Sequence, residues 1–157
     1  MTFRQAVDRT PDLRGGWQSG LQALRKVDRQ HIRTDATDRL KGSVDVESCL
    51  KRKYPKDRQW DYAVGFRPVD FNGEVIYWIE VHPATDGEIK VVLAKLEFLQ
   101  SWLRSNGSKL DGMRMAFVWV SSGKTSFALT SPQQKRFALR GLQHTGRSFK
   151  IPENFVV

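Results

Sequence analysis

Apolar residues at Leu13, Trp17, Leu21 and Leu24 recur every three or four positions, and Val27 and Ile32 extend the same face. That period predicts an amphipathic helix over residues 10–32. Thr10-Pro11-Asp12 supplies its start: a capping hydroxyl, a proline at the first helical position and an acid in the first turn. Gly15, Gly16 and Gly20 weaken this helix, by up to about 1 kcal/mol each relative to alanine, and suit close packing on a sheet. Its polar face carries Arg14, Arg25, Lys26, Arg29 and Arg33, which reads equally as a solvated face or as a phosphate contact. Residues 1–9, ahead of it, read as a mobile arm, and residues 10–157 as a single domain.

Beyond a polar loop at 34–41, residues 42–47 alternate apolar and acidic side chains. They suit a short strand or a helical turn, so Asp45 and Glu47 stay ambiguous. Lys51, Arg52, Lys53, Lys56 and Arg58 form the densest basic run, in a loop that Pro55 keeps irregular. Residues 61–66 and 75–81 read as paired strands joined through Asn72-Gly73. The second is almost wholly apolar, as in a central strand covered on both faces. A long helix capped by Thr85 or Asp86 follows, ending near Asn106-Gly107, with Ile89, Val92, Leu93, Leu96, Leu99 and Leu103 inward. Lys95 lies on the edge of that apolar face, with Glu88 within about 20° of it.

Residues 115–120 and 126–130 read as further strands. The Gly123-Lys124-Thr125 between them lacks the first glycine and the following helix of a phosphate-binding loop. A last helix at 131–142 is expected to turn Phe137, Leu139 and Leu142 inward and Lys135, Arg136 and Arg140 outward, and 147–151 reads as an edge strand. The order predicts one α/β domain with a central mixed sheet of four to five strands flanked by helices.

Composition narrows the setting. The chain has 157 residues, enough to bury roughly two thirds of the surface its unfolded form exposes. Cys49 is the only cysteine, which excludes an intrachain disulfide and a thiolate zinc cluster and fits a reducing compartment. Residues 1–20 are charged and lack a long apolar run, and no stretch has the apolar length of a membrane span, so a cytoplasmic protein without membrane contact is expected. His31, His82 and His144 are too widely spaced to suggest zinc, and no serine sits in a nucleophile elbow.

Charge changes the picture more. The net charge is +9, from 26 basic and 17 acidic residues. Residues 1–59 carry +6, residues 60–112 carry −3 and residues 113–157 carry +6. Basic flanks attract phosphate backbones, and an acidic centre within them suits a divalent cation. Burying Glu80 at the end of an apolar strand is costly unless a cation or a donor meets it.

Asp61 at the head of one strand and Glu80-Val81-His82 at the end of the next resemble the PD-(D/E)XK nuclease superfamily over about residues 10–125. The resemblance implies a restriction-endonuclease-like αβββαβ core, Asp61 and Glu80 as ligands of Mg²⁺ or Mn²⁺, and DNA as the partner. It also admits a homodimer. Histidine stands where the family places lysine. Either His82 orients the attacking water, or Lys95 supplies the lysine from the following helix, or catalysis has been lost. The family's frequent acid from the first helix has only Asp28 as a substitute. Three functions stay open: a metal-dependent nuclease; a non-cutting nucleic-acid-binding protein using the 51–58 loop and the last helix; and a protein-interaction module with an acidic partner.

Overall fold

The computed structural model describes residues 1–85, 87–122 and 131–152. The chain begins with a short helix, α1 (Phe3–Asp8), closed by a capping box in which the Thr2 hydroxyl accepts from the Gln5 N–H and the Gln5 side chain accepts from the Thr2 N–H. Phe3, Ala6 and Val7 are fully buried. The segment expected to be a mobile arm is therefore part of the core. Phe3 packs closely on Gly65, where a Cβ would come within 2.5 Å of its ring.

The helix expected over residues 10–32 does not form. A single 3₁₀ turn (Pro11–Leu13) gives way to irregular chain, then to one helical turn, α2 (Lys26–Arg29), and a short strand, β1 (Ile32–Thr34). Gly15 and Gly20 take φ values of +82° and +54°, a conformation no right-handed helix contains. The helically spaced apolar residues serve two cores instead of one helical face: Leu13 packs in one cluster and Leu24 in the other.

The central sheet has five strands, β2 (Leu40–Asp45), β3 (Tyr62–Phe66), β4 (Val75–His82), β5 (Met115–Ser121) and β6 (Leu142–His144), in that order. The first three are antiparallel; β4, β5 and β6 run parallel. The expected single-domain α/β class with a mixed sheet is what the chain adopts. A final strand, β7 (Phe149–Ile151), pairs in parallel with β1 in a separate two-stranded sheet. The ambiguous 42–47 segment is both things: its strand ends at Asp45, whose carboxylate then caps α3 (Val46–Lys51) by accepting from the Ser48 N–H.

β4 is covered on both faces, as its composition predicts. Ile76 and Trp78 join the core under α4 (Glu88–Asn106), while Val75, Tyr77, Ile79 and Val81 pack with Phe149 and Ile151 opposite. Gly87 stands at the α4 N-cap in place of Thr85, and Asp86 lies outside the described residues. A short helix, α5 (Ser108–Asp111), leads to β5, and α6 (Ser131–Leu139) packs Phe137 on Trp119. Leu139 is 89% exposed rather than inward, because the helix ends there and Leu142 opens β6 instead of a further turn. The strand expected at 126–130 and the Gly123-Lys124-Thr125 turn lie outside the described residues. Among the described residues, no helix is long and apolar enough to cross a membrane.

Candidate active site

The β3–β4 hairpin sets Asp61 against Glu80. Tyr62 faces Ile79 and Ala63 faces Trp78 across the antiparallel pair. Carrying the register one residue further pairs Asp61 with Glu80, and side-chain alternation puts both on the sheet face that α4 covers. The contacts agree: the Asp61 N–H donates to Glu80 Oε1 at 3.1 Å, and the Val81 N–H donates to Asp61 Oδ2 at 3.0 Å. α4 runs back over this face and brings Lys95 Nζ to 2.6 Å from Glu80 Oε2. Asp61, Glu80 and Lys95 are 4%, 0% and 8% exposed, so three ionisable groups share one nearly closed spot.

Burial dominates their electrostatics. It pushes the Asp61 carboxyl up to about 6, against the opposing pull of Lys95 and the Val81 N–H. Glu80 is raised well above the ordinary carboxyl range, first by burial and then by the neighbouring Asp61 charge, with Lys95 working the other way. For Lys95, burial favours the neutral amine, but the combined pull of Glu80, Asp61 and Glu47 outweighs it and the ammonium is stabilised. Two acids and one lysine leave negative charge that the fold itself only partly offsets.

His82 projects from the same face of β4. Its Nδ1 lies 3.6 Å from Glu80 Oε2, and its Nε2 rests against the Glu88 carboxylate at the start of α4. That hydrogen bond holds Glu88 below its usual range. A cavity of about 420 Å³ opens alongside, lined by Glu47, Lys51, Arg58, His82, Glu88 and Lys95 among others. Glu47 reaches it because the N–H groups of Val46 and Glu47 both donate to the Asp61 carbonyl, which ties α3 to the site.

The donor set is hard: carboxylate oxygens from two strands, each with a lone pair left after its hydrogen bond. Among the described residues, no group of three or more His, Cys, Asp and Glu side chains converges to hold a metal. A closed cage of the calcium or zinc kind is therefore not built here. A magnesium-like ion needs only one or two carboxylates and keeps its waters; Asp61 and Glu80 supply that number, but neither is among the described residues lining the cavity, and both Glu80 oxygens already accept hydrogen bonds.

The expected basic residues do not form one surface. Lys51 and Arg58 line the cavity, Arg52 and Lys56 are exposed beside it, and Lys53 turns away to Asp12 at 3.3 Å. Lys135, Arg136 and Arg140 are exposed on and just after α6. The 51–58 loop packs Tyr54 on Phe98, whereas Gln100 donates to the Arg140 carbonyl. Those two α4 positions are about 200° apart around the helix, so α4 separates the two basic groups.

On the other side of Asp61 lies a polar group the sequence offers only loosely, Arg25 as one of five polar-face residues able to meet a phosphate and Asp28 as a substitute for the family's helix acid. Arg25 Nη2 lies 3.9 Å from Asp61 Oδ1, and Tyr62 donates to Asp28 at 2.5 Å. The contact between Arg25 and Asp61 is not foreshadowed in the sequence, because the helix expected over residues 10–32 does not form. Comparison of the chain with protein-family models, with curated proteins and with solved structures finds no match.

Proposed function

We propose that this chain is a metal-dependent nuclease of the PD-(D/E)XK kind, acting on DNA in the cytoplasm. The observation that carries this reading is the convergence of Asp61, Glu80 and Lys95, from two strands and a helix, on one buried spot beside a cavity whose walls mix Lys51 and Arg58 with Glu47, Asp57 and Glu88. The antiparallel β2, β3 and β4, the α4 crossover and the parallel β5 follow the βββαβ order that the resemblance implies, with α3 added between β2 and β3 and α5 ahead of β5. A magnesium or manganese ion held by Asp61 and Glu80 would supply Lewis acidity and an activated water. Lys95 lines the cavity and holds Glu80 Oε2, so its ammonium can meet negative charge developing on a phosphate oxygen. His82 has its two nitrogens turned to Glu80 and Glu88, so in this arrangement it orients carboxylates, and Lys95 is the better candidate for the charged helper. Lys51 and Arg58 sit where a backbone entering the cavity would pass.

The near-complete burial of both acids favours a second reading, a protein that binds nucleic acid on this fold without cutting it. Incubation of supercoiled plasmid and single-stranded DNA with Mg²⁺ or Mn²⁺ separates the two. The nuclease reading expects metal-dependent nicking that Asp61→Asn and Glu80→Gln abolish and that Lys95→Met lowers by about 100-fold or more. Salt-sensitive binding with no cutting under either metal would leave only the second reading.

A further inference from the structure

Arg25 is held at the rim of the carboxylate pair in a way a structural ion pair does not require. Its side chain is 57% exposed, although Asp61 beside it is buried. The Nε–H donates to the Tyr62 hydroxyl at 3.0 Å, and the Arg25 backbone N–H donates to the same oxygen at 3.2 Å. Tyr62 is itself fully buried in β3 and passes its own proton to Asp28 Oδ2. Arg25 Nη2 lies 3.4 Å from Asp28. A buried phenol thus fixes the plane of the guanidinium through Nε.

The 3.9 Å separation from Asp61 exceeds a hydrogen bond, so the two do not form the closed fork that locks arginine to a carboxylate. Among the described residues, none accepts from Nη1 within hydrogen-bonding distance. The outer edge of the guanidinium therefore faces solvent with donors to spare. Electrostatics says what belongs there. With Glu80 matched to Lys95 and Asp28 only 3.4 Å from Arg25, the Asp61 charge would repel an approaching phosphate, and the exposed outer edge of the guanidinium offsets that repulsion at the point of contact.

We propose that Arg25 clamps a phosphodiester group of the bound nucleic acid at the mouth of the Asp61–Glu80 pair, with Tyr62 and Asp28 as positioning residues. This rests on the nucleic-acid reading of the site, not on hydrolysis. Planar bidentate recognition of phosphate is the task for which arginine surpasses lysine.

The test is binding of a short DNA duplex and of an RNA hairpin in EDTA, measured between about 50 and 200 mM salt, the range over which phosphate contacts are read. Removing one phosphate contact lowers the slope of log K against log salt by about one. Arg25→Met and Arg25→Gln are both expected to show that drop, with several-fold weaker binding at the lower salt. Tyr62→Phe keeps the charge and the slope but weakens binding. A drop on either polymer supports the clamp and identifies the polymer. If Arg25→Gln folds with the wild-type slope and loses only thermal stability, Arg25 is structural and the proposal is overturned. A wild-type protein that binds neither polymer overturns it too. A slope change without metal-dependent cutting leaves the clamp standing and removes the hydrolase, and cutting without a slope change does the reverse.

Discussion

Asp61 is a group the fold holds against its own preference. At neutral pH it must ionise while 4% exposed, and burial pushes its titration up to about 6 from 3.8. A carboxyl raised in the folded state binds its proton longer there than in the unfolded chain. Stability is therefore complete below about pH 4 for this group and declines as pH rises through about 6. A rise from 3.8 to about 6 corresponds to about 3 kcal/mol. Glu80 is displaced in the same direction and adds to the decline. Asp61→Asn keeps an acceptor for the Val81 N–H and removes the charge, so urea unfolding between pH 4.5 and 7.5 is expected to show a flatter profile. The variant is expected to be more stable than wild type at pH 7 by about 1–3 kcal/mol, in keeping with the linkage size above. A variant less stable than wild type at pH 7 would mean that the carboxylate is stabilising, and that the site is a settled ion pair.

Elements differ in how far the sequence betrays them. β3, β4, β5 and α4 were legible because one period coincides with one pattern of burial. The Asp61–Glu80 pairing was legible for the same reason, since alternation along two paired strands with a buried face restricts the register. Lys95 followed from its phase on a long helix. The path between Thr10 and Ile32 was not legible: its apolar spacing imitates a helix, and only the positive φ of Gly15 and Gly20 reveals otherwise. Arg25 could be named only as one of several polar-face residues, because its contact with Asp61 depends on that irregular path. α1 is six residues long, too short for a period to register, yet Phe3 is as buried as any residue of the sheet. Phe3→Ala is expected to lower stability by about 3–5 kcal/mol in urea unfolding. Gly65→Ala, which drives a methyl into the Phe3 ring, is expected to lower it by about 1–3 kcal/mol. Because both changes act on one contact, the double variant should be less destabilised than their sum. A loss below about 0.5 kcal/mol for Phe3→Ala would return α1 to the status of a surface arm.

At the scale of the molecule, the negative centre and its positive surroundings are sides of one design problem. On the proposed reading, charge that meets phosphate must lie outside and charge that meets a cation inside. The fold meets it by ending the parallel β4 and β5 beside the start of α4, with Lys51 and Arg58 at the cavity and Arg25 at the rim of Asp61. The basic residues of α6 lie beyond α4, outside that arrangement. What remains decisive is whether the two acids take up a divalent cation. Isothermal titration of Mn²⁺ into the wild-type protein and into Asp61→Asn at pH 7.5 measures this without any substrate. The expected result is one ion per chain for wild type and loss of that binding in the variant. Equal uptake by both proteins, or none by the wild type at millimolar Mn²⁺, would contradict a metal centre at Asp61 and Glu80.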